Sequence, residues 1–368
     1  MKILFSANSF EGFGGVEQSF IQWIDPLQSN GHELTLQLAR IYGKHAAVIQ
    51  EKGVTVVHHR LFWSYRGIQI PNPFAILKLA LFIRRQGYDA IIGLQPPAHY
   101  FLRFSAYLSL TSPRVVAMER LSYSDRAFLY VCCDRILEHF TSSIICVSPS
   151  LRNEFIERSR VSPSKIKAIA HGFYPAVSEC QHSELLNRAK GRIIIGCVAR
   201  ITSVKRQRLL LRAFRSAISQ SSQKLYLVLV GDTSDDTHLQ NYVETLGITN
   251  DVWIMGHSTE IDQIYNTLDI FTLPSVREGF GRSWAEAMSY GIPVITTNIP
   301  PMSDYLTHDL NSILFTADDE DSLLKALIRL IGDPELRTKI GASGRILVER
   351  EFNFERQVNM YISEFTGH

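Results

Sequence analysis

The stretch IFTLPSVREGFGRSWAEAMSYGIPVITT, residues 270–297, decides the fold. Three of its first four residues are apolar and the four read as a buried strand, and a loop carrying proline and glycines follows. Helical spacing begins near Arg282 or Ser283, and a Gly-Ile-Pro break leads into a second strand candidate, the β-branched run at residues 294–297. Strand, loop, helix and strand in that order make the repeating unit of a parallel sheet, because parallel neighbours need a crossover. Gly279 and Gly281 permit close approach of the backbone to a ligand. Unpaired amides at the helix start, helped by the helix dipole, suit a diphosphate. Glu278 precedes those amides and Glu286 lies about one turn into the helix, so carboxylates able to accept from paired hydroxyls flank the phosphate cradle. The plainer alternative is a helix start whose acids complement the dipole.

The same alternation extends outward in both directions. Upstream in the same half, strands are expected at residues 193–198, 225–231 and 252–255. The N-terminal half offers residues 2–7, 33–39, 54–58, 90–94, 115–118 and 143–147, with a helical pattern over 16–30. Pro26 is expected to kink or end that helix, since proline removes a backbone donor. An irregular segment around residues 174–191 separates the halves. The expectation is an α/β chain of two Rossmann-like, doubly wound parallel-sheet domains, 1–175 and 190–350, facing each other across a cleft. Ligands in such sheets bind beyond the carboxyl ends of the strands.

Composition excludes several classes. With 45% hydrophobic and 20% charged residues, 22 Gly and 14 Pro, the chain of 368 residues is neither disordered, collagen-like nor a disulfide scaffold. Its five cysteines (Cys132, Cys133, Cys146, Cys180 and Cys197) are odd in number and lack zinc-type spacing, which points to a reducing cytosol. The start, MKILFSANSF, lacks the features of a signal peptide, and no run reaches about 18 uninterrupted apolar residues. Residues 1–180 hold 19 Lys and Arg against 13 Asp and Glu, and the remainder holds 19 against 23. A basic first half suits an anionic partner, although chance variation between halves gives the same numbers. Aromatics interleaved with arginines at residues 60–66, 73–85, 100–110 and 126–140 suit a helix lying on an anionic membrane, or ordinary packing against a sheet. No nucleic-acid partner is expected.

Glu278 and Glu286 with seven residues between them, the Gly-Phe-Gly core and the following Ala-Met-Ser-Tyr-Gly-Ile-Pro-Val resemble the signature of family-four retaining glycosyltransferases, which have the GT-B fold. By that resemblance Glu278 contacts the donor hexose and Glu286 the nucleotide ribose. The amides around Gly281, Arg282, Ser283 and Trp284 would hold sugar hydroxyls and diphosphate. Arg282 and Ser283 stand where the family is usually apolar. Residues 198–205, VARITSVK, are similar to the family's Gly-Arg-Leu…Lys motif with Ala199 in place of glycine. Arg200 and Lys205 would then neutralise the diphosphate and stabilise the departing nucleotide, a compensation needed where no metal supplies it. Gly14-Gly15-Val16-Glu17 resembles the Gly-Gly-x-Glu loop near the donor phosphates.

Further elements follow the same resemblance. IAHGF at 169–173 resembles a Pro-Asn-Gly segment, with His171 either a hinge residue or an ordinary loop histidine. Val230-Gly231-Asp232 matches the glycine-bearing end of a strand, and residues 252–258 would lie near the nucleobase. Glu119 ends a strand where many relatives carry histidine. It either hydrogen-bonds the donor sugar's outer hydroxyl or pairs with Arg120, and His99 is the other candidate for that role. Asp319-Glu-Asp321 spells a metal-holding pattern but opens a helical run over 322–331, so its acids are expected to complement the dipole, with no metal site and no cofactor. Residues 351–368 are expected to form a helix packing back on the first domain.

The resemblance implies transfer of a hexose or N-acetylhexosamine from a nucleotide-diphosphate sugar, with UDP favoured, to a glycan or lipid-linked glycan held by the first domain. It further implies retention by front-side attack assisted by the leaving phosphate, without an enzymic nucleophile, in the cytoplasm at the inner membrane face. Two other readings stay open: a nucleotide-sugar hydrolase or epimerase on the same scaffold, and a catalytically silent sugar-nucleotide-binding protein.

Overall fold

The structure, a computed structural model, describes every residue except 11–13, 41–45, 66–67, 121–127, 175–179, 235, 237 and 368. It divides into two units, Met1–His171 with Glu355–His368, and Gly172–Phe354. The first unit is built on strands β1 (Lys2–Ala7), β2 (Glu33–Leu38), β3 (Thr55–His58), β4 (Phe62–Tyr65), β5 (Ile68–Pro71), β6 (Ala90–Gly93), β7 (Arg114–Glu119), β8 (Ser143–Cys146) and β9 (Ile166–Ala168). Seven of them form a parallel sheet in the order β3-β2-β1-β6-β7-β8-β9, and β4 and β5 pair as an antiparallel hairpin. β1 and β6 are buried almost throughout, the near-continuous apolar pattern of strands covered on both faces.

The second unit contains β10 (Ile193–Val198), β11 (Leu225–Val230), β12 (Val252–Gly256), β13 (Ile270–Leu273), β14 (Val294–Thr297) and β15 (Ile313–Phe315). Their order is β12-β11-β10-β13-β14-β15, again all parallel. Its core places Leu210, Phe214 and Leu327, contributed by flanking helices, against Ile195, Leu227 and Ile270. In both sheets the strand order reverses beside the first strand, between β1 and β6 and between β10 and β13. In open parallel sheets the loops leaving such strands diverge, and the carboxyl edge at that reversal is where ligands bind.

Three expectations need correction. The helix Gly15–Ser29 runs through Pro26 instead of ending there. The lost hydrogen bond lies near the end of the helix, and buried Trp23, Ile24 and Leu27 hold that end against the sheet. Within residues 60–66, the part from Phe62 to Tyr65 is a hairpin strand, not a helix. The segment expected to be irregular contains the helix Ser183–Ala189.

The C-terminal helix, Phe354–Thr366, contributes to the first unit's core. Tyr361 packs on Trp23 at 4.7 Å between ring centres, and Phe365 on Phe5 at 5.6 Å. The Tyr361 hydroxyl donates to the Ile169 carbonyl at 2.7 Å.

Candidate functional site

At the crevice of the second unit, the loop after β10 meets the loop after β13. The Val276 amide donates to the Val204 carbonyl at 3.0 Å, tying the two together. Beside that tie Lys205 Nζ lies 2.5 Å from Glu278 Oε1, with the Glu278 side chain 7% exposed. A charge-assisted bond this short fixes both groups at the crevice floor. Cys197 is buried nearby, and burial pushes its thiol up to about 12 against the opposing pull of Lys205, so it is no nucleophile at neutral pH. Arg200 is exposed at the end of the same strand, with no ion-pair partner among the described residues.

Gly281 precedes the helix Arg282–Ser289 at φ +77°, a left-handed conformation that glycine adopts without strain. A Cβ there would stand 3.0 Å from the Trp284 ring and 3.3 Å from Glu278 Cγ. The expectation of a row of open amides is trimmed at Trp284, whose N–H donates to the Gly281 carbonyl at 3.1 Å. Its indole is fully buried and donates to the Phe280 carbonyl at 2.7 Å, so Trp284 braces the turn from below. The Arg282 and Ser283 amides have no protein partner among the described residues and leave open N–H groups at the positive end of the helix dipole, the arrangement that suits an anion.

Glu286, one turn on, is already engaged. Its Oε1 accepts from Arg282 Nε at 3.2 Å and its Oε2 from the Tyr265 hydroxyl at 3.1 Å. Each carboxylate oxygen has a second lone pair, so room for hydroxyl donors remains. The Tyr265 hydroxyl is held well above its ordinary pKa, by burial first and by the Glu286 charge second, and it stays a neutral donor. Arg282 does not point into solvent: its guanidinium covers the Phe173 ring at 4.9 Å and its side chain is 12% exposed. Tyr265 was invisible as a site residue in the sequence, because nothing local marks a tyrosine that reaches a helix 21 positions away.

Asp319 caps the helix Glu320–Gly332, accepting from the Ser322 amide at 2.9 Å, while Glu320 pairs with Arg212. Among the described residues no group of three His, Cys, Asp or Glu side chains is arranged to hold a metal ion.

In the first unit, Glu119 and His99 turn out to be partners. Glu119 Oε1 lies 3.0 Å from His99 Nε2, with side chains 1% and 0% exposed. Gly93 makes this possible, since a Cβ there would fall 2.2 Å from His99 Cβ. Burial lowers the His99 pKa, with the Glu119 charge opposing, so the ring is neutral at pH 7. Arg120 instead reaches the first turn of the helix Gly15–Ser29, donating to Ser19 Oγ at 3.2 Å and to the Gly15 carbonyl at 3.4 Å. His171 Nδ1 contacts the same Ser19 Oγ at 3.3 Å. Gly15 is thus braced by residues from two distant segments.

Two family patterns match successive parts of the chain: "Glycosyltransferase Family 4" over residues 13–176 and "Glycosyl transferases group 1" over residues 181–346. The chain is 23% identical over 316 residues to the capsular polysaccharide biosynthesis glycosyltransferase CapM of Staphylococcus aureus, covering 80% of this chain and 82% of that one. It is also 23% identical over 353 residues to the lipopolysaccharide core biosynthesis glycosyltransferase LpsD of Rhizobium meliloti, covering 96% and 95%. Among solved structures, HepE of Anabaena in complex with UDP and glucose superposes with a TM-score of 0.84 at 20% identity, over the whole of both chains. With two parallel sheets of this order, and the Glu278–Glu286 loop at the second sheet's switch point, the chain belongs to the family-four glycosyltransferases of the GT-B fold.

Proposed function

We propose that the protein transfers a hexose or N-acetylhexosamine from a nucleotide-diphosphate sugar, with UDP-sugars favoured, to a glycan or lipid-linked glycan, retaining the anomeric configuration without a metal. The observation that carries the reading is the pairing of open Arg282 and Ser283 amides with the cations Arg200 and Lys205 at one switch point. Such a site compensates a diphosphate whose charge grows as the sugar leaves. Glu278 takes hexose hydroxyls and Glu286 the ribose diol through its remaining lone pairs. Gly15 offers backbone to the donor phosphates. Trp284 contributes by bracing Gly281, not by its own amide. Glu119 is buried against His99, so its part is to position the loops after β6 and β7 around the donor sugar. The odd cysteine count and the cellular source of nucleotide sugars favour the cytoplasm.

The test is a transfer assay over a panel of UDP-, GDP- and ADP-sugars with glycan and lipid-linked acceptors, run with and without EDTA. Transfer insensitive to EDTA, with the donor's anomeric configuration kept in the product by NMR, is the expected result. Rapid release of free sugar without acceptor would favour a hydrolase instead, and donor binding with no product from any acceptor would favour a silent binding protein.

A further inference from the structure

The two carboxylate oxygens of Glu286 are held by different elements of the second unit. Oε1 accepts from Arg282 Nε at 3.2 Å, from the same helix, and Oε2 from the Tyr265 hydroxyl at 3.1 Å, from the helix Ile261–Tyr265. The Ser283 carbonyl is a more distant acceptor for that hydroxyl, at 3.4 Å. Both holders are themselves fixed. Tyr265 is 1% exposed, and its ring stacks on Tyr290 at 5.4 Å with 24° between the planes. The Tyr290 hydroxyl in turn donates to Asp262 Oδ1 at 2.6 Å. Arg282 is pinned by its stack on Phe173, and its Nη1 is buried with no hydrogen-bond partner among the described residues. An unsatisfied buried nitrogen costs stability, which marks a guanidinium placed for Glu286 and not for packing alone.

A carboxylate offers about four lone-pair positions, two on each oxygen. Here one on each oxygen is taken and one on each is left, on a side chain that keeps 24% of its surface exposed. That remainder matches two neighbouring hydroxyls, each donating to its own oxygen, and a lone hydroxyl leaves one oxygen unused. A glutamate on an exposed helix face otherwise spreads over several rotamers and loses side-chain entropy when a ligand fixes it. Two donors from fixed side chains remove that loss before the ligand arrives.

We propose that Tyr265 and Arg282 are positioning residues that set Glu286 to read both hydroxyls of a ribose together, so that the site selects ribonucleotide over deoxyribonucleotide donors. The inference rests on the reading of Glu286 as the ribose contact and adds the groups that make the contact selective. Tyr265 fixes one oxygen and Arg282 the other, so loss of either frees the carboxylate to turn.

Calorimetry on the intact protein, with UDP, GDP and ADP each set against its 2′-deoxy and 3′-deoxy forms, tests this. The ribonucleotide that binds is expected to bind about 10–100-fold more tightly than either deoxy form, the range for one hydrogen bond to a charged group. Tyr265→Phe and, separately, Arg282→Leu should each cut that preference about threefold or more, weakening the ribonucleotide more than the deoxy forms. A thermal midpoint matching the unsubstituted protein shows that a variant is folded. Arg282 lies near the surface, so its variant carries the test if the buried tyrosine cannot be replaced. Equal losses for ribonucleotide and deoxyribonucleotide would make both residues general supports and overturn the inference, as would an unchanged preference in the folded variants. Glu286→Gln separates this inference from the reading beneath it. If that variant loses the preference while Tyr265→Phe and Arg282→Leu keep it, the ribose contact stands and the positioning role falls. If Glu286→Gln keeps the preference, or none of the nucleotides binds, the ribose reading fails and takes the inference with it.

Discussion

Arg103 and Asp134 in the first unit lie 2.6 Å apart with side chains 1% and 0% exposed, whereas Arg282 and Glu286 in the second lie 3.2 Å apart and keep 12% and 24%. The buried pair has further anchors: Tyr100 donates to Asp134 at 2.7 Å and Arg103 Nε to Thr141 Oγ1 at 2.9 Å. No ligand can compete for it, and removing one partner strands a charge in low dielectric. The rim pair sits beside open amides and keeps part of its surface exposed, so under the proposed function an incoming ribose or phosphate would share the same oxygens and cations. The difference separates charge sealed into a core from charge that stays within reach of solvent and of any ligand that enters.

The largest effect expected on that contrast is from Arg103→Ala, which should lower stability by about 3–5 kcal/mol in urea unfolding. Stability equal to that of the unsubstituted chain would erase the distinction between buried and rim pairs. Lys205→Ala should reduce kcat by about 10²–10³-fold, with a smaller loss of donor affinity, because its partner's charge grows in the transition state. Equal losses in kinetics and calorimetry would make it a ground-state binder. Glu286→Ala should weaken nucleotide affinity by about 1.5–3 kcal/mol, the range for hydrogen bonds to a charged group. Unchanged affinity in calorimetry would remove the ribose assignment.

The smallest effect is the pH dependence of stability. His59 and His99 both have pKa values lowered by burial from 6.5, His59 to about 4, so the unfolded chain takes up protons that the folded one refuses. Stability should therefore be full above about pH 6.5 and fall as the pH drops from there towards 4, by at most about 1.4 kcal/mol per pH unit for each histidine. His59→Gln should flatten the slope between pH 6.5 and 4 in urea midpoints, and an unaltered slope would show that this ring does not contribute.

Much of this was legible in the amino-acid order. The buried parallel strands announce themselves as apolar runs, and the helix start at Arg282 follows from the glycine before it. The three-residue strands β9 and β15 and the hairpin β4–β5 did not, because so short an element is defined by its neighbours, not by its own periodicity. In the site, the acids and glycines were readable since their chemistry is local. The Glu119–His99 pairing, the Arg282 stack on Phe173 and the Tyr265 bond to Glu286 were not, since each joins segments that only the folded sheet brings together. Trp284 misled for the opposite reason: it stands inside the motif, but its amide closes a tight turn.

The helix at Phe354–Thr366 has a consequence for how the protein is made. Tyr361 reaches back 192 positions to Ile169, and Phe365 completes the aromatic contact on Phe5. A ribosome adding about 5–20 residues per second leaves the earliest-made sheet uncovered on one side for roughly 10–40 s. During that interval Phe5 and Trp23 lack their final cover, so the half of the protein that emerges first is the last to mature, and it is the half a chaperone would need to guard.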